Sequence, residues 1–144
     1  FVDTTPDEWR KILDINLFGT LIVSRAVMPG MIERRRGAIV SISSGAGLMG
    51  MPKAAVYSAV KAAIILFTKS VSPDCAPHGV RINAIAPGNV EATWKAGRNA
   101  VTLPPIGRAA TGREIGDAAS FLLSHKASHI TGICLDVSGG ATLH

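Results

Sequence analysis

Tyr57 and Lys61 stand four positions apart in the run AAVYSAVKAA, residues 54–63, which is otherwise small and apolar. On a helix that spacing stacks the two side chains on one face. A free phenol ionises near pH 10 and is a poor base at neutral pH. Making it a competent one needs a shift of about three units, or about 4 kcal/mol in favour of phenolate. An ammonium about 4 Å away supplies roughly 4 kcal/mol at an effective dielectric near 20. One lysine at helical spacing therefore suffices for a tyrosine that exchanges a proton with an alcohol or carbonyl oxygen. Ser44, thirteen positions before Tyr57, could hydrogen-bond the same oxygen and hold it in place. A core tyrosine beside a lysine that runs its stem along the core would show the same spacing, so the pair alone leaves both readings open.

The elements around these residues decide what they can reach. TTPDEW opens a helix, with Thr5 as N-cap, Pro6 at the first helical position and Glu8 completing a capping box. Apolar residues at 9, 12, 13, 17, 21–23 and 27 give it one broad apolar face, and it continues past a kink at Pro29 towards Arg35. Residues 37–43, GAIVSIS, read as a buried strand, and 44–52, with three glycines and a proline, as a loop. A second long helix spans 54–71 and stops near SPDCAPHG, where two prolines, Pro73 the first, and a glycine intervene. Residues 80–86 form a second strand ended by Pro87 and Gly88; 89–110 read as a loop with a short helix. A third helix covers 113–124 and a third strand 132–137.

Helices alternating with apolar strands specify an α/β chain: a Rossmann-like, doubly wound parallel sheet of three strands with flanking helices. Ligands of such sheets bind beyond the carboxyl ends of the strands. Ser43, Ser44, Pro87 and Gly88 all fall there, and the Tyr57 helix starts from the same edge. Three strands leave two edges unpaired. Because the chain also begins with Phe1 rather than Met, the expectation is that a portion precedes it and that 1–144 is a partial domain.

Composition narrows the function classes. The net charge of +5 is carried by the cluster Arg34-Arg35-Arg36 and by scattered residues such as Lys53, Arg81 and Arg108. No aromatic residues interleave with that cluster, so it reads as a solvated face and not as a nucleic-acid site. Cys75 and Cys134 form no CxxC and read as reduced thiols of a cytoplasmic protein. His78, His125, His129 and His144 offer one helical spacing, 125 to 129, without an acidic or cysteine partner near it, so no metal is expected. No uncharged apolar run reaches transmembrane length and no secretory signal is present, so no membrane role is expected.

The motifs together are far more specific than the pair. SISSGAG ends a strand, YSAVK follows on a helix, NAIAPG lies on the next strand and DINLFGT precedes them all. In order and spacing this resembles the C-terminal portion of the short-chain dehydrogenase/reductase family, over essentially the whole chain. The resemblance implies an NAD(P)-dependent oxidoreductase interconverting a small-molecule alcohol and carbonyl. It implies Tyr57 as the acid/base, Lys61 lowering the tyrosine pKa and hydrogen-bonding the nicotinamide ribose, and Ser44 orienting the substrate oxygen. Asn16 would hold a water that links Lys61 to solvent, although on its own an asparagine inside a helix is simply a mild defect. Pro87, Gly88 and the backbone near Val90 would wall the nicotinamide carboxamide. The resemblance also implies a homodimer or homotetramer through the helices at 6–35 and 54–71.

Several positions depart from the family pattern. Ala92 stands where relatives carry a cofactor-contacting threonine, with Thr93 one position later; Ser138 replaces Asp in the closing Val-Asp-Gly-Gly, and Val60 replaces a common Ser. No glycine-rich first strand-helix turn is present, nor a residue that would choose NAD or NADP. SGAGLMG at 44–50 contains a Gly-x-Gly but follows the catalytic serine, so it is not a phosphate cradle. The alternative reading is an inactive fragment or dimerisation module that lacks half of the cofactor site.

Overall fold

The computed structural model describes residues 1–91 and 103–142. Helix α1 (Pro6–Leu13) starts with the expected capping box: the Glu8 N–H donates to Thr5 Oγ1, and the Thr5 N–H donates to Glu8 Oε2 at 2.7 Å. It does not continue as plain α-helix. A π-helical turn (Asp14–Phe18) follows, and the helix resumes as α2 (Gly19–Glu33), running through Pro29. It ends at Glu33, short of Arg35, which takes a left-handed conformation at φ 51° and turns the chain into β1.

Strands β1 (Gly37–Ile42), β2 (Val80–Pro87) and β3 (Cys134–Val137) form one parallel sheet in that order, with Ile42 level with Ile85 and Ile85 with Leu135. The segment 44–52, expected as loop, contains a one-turn helix α3 (Gly45–Met49) capped by Ser44. Helix α4 (Ala55–Cys75) is longer than expected because Pro73 does not stop it. A proline inside a helix deprives the carbonyl four residues back of its donor. Here that carbonyl belongs to Lys69, and the Ser72 hydroxyl donates to it at 3.3 Å. A short 3₁₀ turn (Ala76–His78) then leads through Gly79, at φ 71°, into β2. A Cβ there would collide with the Arg35 carbonyl oxygen, so the turn into β2 needs glycine.

Both sheet faces are covered. On one, Val80, Ile82 and Cys75 pack with Met28, Ile32 and Val71 of α2 and α4. On the other, Ile85, Leu122 and Ala127 pack with Val40, Leu135 and the apolar face of α5 (Gly112–Leu123). Each large aliphatic side chain buried this way contributes roughly 2 kcal/mol. Arg81 is no part of a free basic surface: its guanidinium donates to the carbonyls of Leu122 at 2.7 Å and Ser124 at 3.0 Å, closing the C-terminus of α5.

At the other end of α5, Thr111 and Glu114 form a second capping box, and Arg108 grips the Glu114 carboxylate through both oxygens at 2.6 and 2.9 Å. These hydrogen bonds, with the backbone N–H of Thr111, hold the Glu114 pKa down to about 2. A carboxylate with a depressed folded-state pKa contributes stability above its ordinary value near 4.3, and loses it as the pH falls towards the folded value. The wild-type melting temperature therefore declines between about pH 4.3 and pH 2 more steeply than that of Glu114→Gln, which keeps the box but not the charge. Equal slopes in thermal melts across that range would refute the coupling.

By length and composition alone, the helices Pro6–Glu33 and Ala55–His78 are apolar enough to cross a membrane. The second is the core helix of the sheet, burying Val60, Ile64 and Ile65. The first presents Ile15, Phe18, Ile22 and Val23 to the outside, each more than half exposed.

Candidate active site

Strand β1 ends where α4 passes over it, and two hydrogen bonds fix the crossing. The Ser43 hydroxyl, buried, donates to the Lys61 carbonyl at 2.7 Å. The Lys61 Nζ donates to the carbonyl of Ile42, the last residue of β1, at 3.1 Å. Lys61 is 8% exposed, and no carboxylate lies within ion-pair distance of it among the described residues. Burial pushes its pKa below the ordinary lysine value. Its ammonium sits 5.6 Å from the centre of the Tyr57 ring, inside the range of a cation–π contact. The helical spacing thus does bring the two side chains together. Tyr57 is half-buried, and its hydroxyl makes no hydrogen bond to the described residues.

Ser44 caps α3, its Oγ accepting from the Ala46 N–H at 3.2 Å. The short helix lies against α4 so closely that a Cβ on Gly47 would be 2.7 Å from the Lys61 carbonyl carbon. Met51 N–H donates to Ser58 Oγ at 3.0 Å and closes the segment onto α4. Sequence reasoning finds Ser43 only as a strand end and Gly47 only as a loop residue. An extra small polar residue beside Ser44, and a glycine one helical turn further on, are the available signals.

Asn16 sits in the middle of the π turn, which packs against α4. A π turn breaks the regular ladder of i to i−4 bonds. The Asn16 Nδ2 donates to the Ile12 carbonyl at 3.1 Å, and Thr20 Oγ1 donates to the Asn16 carbonyl at 2.7 Å, so side chains serve carbonyls in and beside the widened turn. Asn16 makes no direct hydrogen bond to Lys61.

Pro87 and Gly88 close β2, and the Gly88 N–H donates to the Val137 carbonyl at 3.2 Å. Val90 pairs with Ala110 in an isolated parallel bridge. Ala92 and Thr93, the expected departure from the cofactor-contacting threonine, lie outside the described residues, as does His144.

A cavity of about 250 Å³ opens beside Tyr57, between Lys53, Ala54 and the stacked rings of Phe1 and Trp9. A larger groove of about 360 Å³ runs between α2 and α4, lined by Leu21, Met28, Pro29 and Phe67, and lies away from these polar groups. Both cysteines are free; burial, then the charge of Asp136, pushes the Cys134 thiol up to about 11. Among the described residues no three His, Cys, Asp or Glu side chains gather as metal ligands.

The arrangement is a tyrosine under a desolvated ammonium, with a serine hydroxyl presented at the neighbouring strand end. Groups of these types at the carboxyl edge of a parallel sheet can exchange a proton with an oxygen atom held there.

Comparison with known proteins gives concordant matches. The family model described as Enoyl-(Acyl carrier protein) reductase matches residues 1–142. The chain is 39% identical to the inactive 2-(S)-hydroxypropyl-CoM dehydrogenase 2 of Xanthobacter autotrophicus, over 96% of this chain and 66% of that protein. It is 40% identical to the 3-oxoacyl-(acyl-carrier-protein) reductase FabG of Vibrio cholerae, over 93% of this chain and 57% of that one. Among solved structures, a 3-oxoacyl-(acyl-carrier-protein) reductase of Brucella melitensis with bound NAD superposes with a TM-score of 0.92 at 40% identity, covering 99% of this chain and 55% of that one. The chain therefore spans from a little over half to about two thirds of the length of these relatives.

Proposed function

The chain belongs to the short-chain dehydrogenase/reductase family, and from that premise we propose that it is the catalytic portion of an NAD(P)-dependent oxidoreductase interconverting a secondary alcohol and a carbonyl compound. The observation that carries this reading is Lys61. It is a buried cation without a carboxylate partner among the described residues, held over the Tyr57 ring. Such a cation is unfavourable for stability alone and favourable for a phenol that must release a proton.

In the reductive direction Ser44 Oγ donates a hydrogen bond to the carbonyl oxygen, and the Tyr57 hydroxyl delivers the proton to it. Lys61 stabilises the phenolate that remains. In the oxidative direction the same groups take the proton away. Asn16 serves as the anchor of a water between Lys61 and solvent. The nicotinamide, when bound, supplies or accepts the hydride. The donors present fit its ribose half: the Lys61 ammonium spends one of its three N–H groups on Ile42 and keeps the others for hydroxyl acceptors. Pro87, Gly88 and the Val90 backbone would wall the carboxamide. The 144 residues contain no glycine-rich cradle for the pyrophosphate, so they amount to one half of a cofactor domain. The choice between NAD and NADP is open.

The substrate is a small-molecule alcohol or carbonyl, and the place of action is the cytoplasm, a reducing compartment in which two free cysteines persist. The exposed stripe of Ile15, Phe18, Ile22 and Val23 and the exposed Leu66 of α4 favour a second copy packed helix against helix, as a homodimer or homotetramer. That stripe also suits the second reading, a dimerisation module without activity of its own. Titration with NADH and NADPH and assay on a panel of ketones separate the two. We expect no cofactor binding by the 144-residue chain alone, and binding with turnover once a glycine-rich βαβ segment precedes it. An extended protein that binds cofactor but reduces none of the ketones would leave the module as the correct reading.

A further inference from the structure

Three polar side chains behind the site are not explained by proton transfer. Asp136 lies on β3 level with Ala86 of β2, on the sheet face that α4 covers. The Thr142 hydroxyl donates to its Oδ2, while its Oδ1 is buried with no partner among the described residues. Thr142 Oγ1 also lies 2.9 Å from Ser138 Oγ, and the Thr142 N–H donates to Ser138 Oγ at 3.1 Å. Ser138 and Thr142 are each more than nine-tenths buried.

This closed group touches both strand ends that carry the site. A Cβ on Gly88 would lie 2.8 Å from Ser138 Cα and 2.9 Å from its Cβ, so the Gly88 backbone rests on Ser138. A Cβ on Gly45 would lie 2.9 Å from Thr142 Cγ2 and 3.6 Å from the Pro87 carbonyl, so the residue after Ser44 rests on the Thr142 methyl. A buried carboxylate oxygen left unpartnered is a cost that an apolar residue would avoid. What the carboxylate provides in return is a charge-assisted bond to a single hydroxyl, about twice as strong as a neutral one.

We propose that Asp136, Ser138 and Thr142 form a bracket that sets the placement of Ser44 and of Pro87–Gly88 relative to each other, with Thr142 as the positioning residue. The proposal rests on the catalytic reading above only for its activity readout. The bracket acts through backbone contact.

Two near-isosteric variants dissect it in the full-length protein. Thr142→Val keeps the methyl group against Gly45 and removes the hydroxyl; Thr142→Ser keeps the hydroxyl and removes the methyl. We expect Thr142→Val to lower kcat by about tenfold or more, as small misplacements at a site do, and to raise cofactor KM, while Thr142→Ser retains the hydrogen bonds and recovers most of the cofactor KM. Amide exchange supplies the independent readout. The Gly88 N–H, bonded to Val137, and the Gly47 N–H, bonded to Ser44, should lose protection in Thr142→Val. If wild type is inactive yet these amides respond, the catalytic reading fails and the bracket stands. If both amides keep wild-type protection in Thr142→Val and kcat per folded molecule is unchanged, the bracket is wrong. It is equally wrong if both variants merely lower the melting temperature alike.

Discussion

Tyr57→Phe is expected to lower kcat of the cofactor-complete protein by about a thousandfold and to leave its melting temperature within about 1 °C of wild type, the loss that the proposed general acid/base role requires. The asymmetry follows from the geometry. The Tyr57 hydroxyl makes no hydrogen bond to the described residues, so removing it orphans no buried partner. The ring, its cation–π contact with Lys61 and its place beside the cavity stay as they were. Residual turnover in the phenylalanine variant should lose the pH dependence of the proton-transfer step. Stopped-flow reduction of a ketone by NADH or NADPH, read from about pH 6 to about pH 10 beside a thermal melt, checks both halves. A variant with wild-type kcat removes Tyr57 from the chemistry.

Lys61→Met carries the second large effect, and it runs in opposite directions on activity and stability. Activity is expected to fall by about a hundredfold or more, because the ammonium proposed to favour the phenolate is gone. Stability at neutral pH holds or rises, by up to about 1 kcal/mol, the usual gain when a site residue kept at a cost is replaced. The opposing contribution is one lost hydrogen bond to the Ile42 carbonyl, worth roughly 1 kcal/mol. The sign can be followed with pH. Burial lowers the folded-state pKa of Lys61, so the unfolded chain binds the proton more tightly. Wild-type stability is then penalised in full below the folded value. It recovers as pH rises towards the ordinary value near 10.4. The methionine variant lacks that recovery, and the two stability curves converge at alkaline pH. Urea melts at about pH 7 and about pH 10 measure it. A lysine that merely packs would give the reverse: a several-degree loss in melting temperature with kcat per folded molecule intact.

The parts of this fold that are legible in the sequence are those governed by local pattern. Thr5, Pro6 and Glu8 announce the first helix, and the β-branched runs announce strands at 37–43 and 80–86, within a residue or two of their true ends. The four-residue spacing of Tyr57 and Lys61 foretells their contact because a single helix enforces it. What escapes is decided by how elements meet. The π turn at Asn16 looks like ordinary helix in a periodicity count; within and beside it, Asn16 and Thr20 donate to the backbone carbonyls of Ile12 and Asn16. Pro73 reads as a stop for α4, and only the Ser72 hydroxyl on Lys69 explains why it is not one. The Ser43 bond to the Lys61 carbonyl joins residues eighteen positions apart, and the bracket of Asp136, Ser138 and Thr142 meets Gly45 and Gly88 from the far end of the chain. No window of sequence contains such contacts.

The strand register has a consequence for how the chain reaches this structure. Gly37 pairs with Val80, and Ala84 with Cys134, so every rung of the sheet closes a long stretch of chain. Parallel pairings of this kind form late, after the entropy of ordering the intervening segment has been lost, and they make folding slow. Helix α4, a local element, can form early. The β-branched strands cannot be buried until the strands they pair with arrive. During that interval GAIVSI and VRINAIAP are exposed together in one chain, and newly made molecules are at their most vulnerable to association with one another.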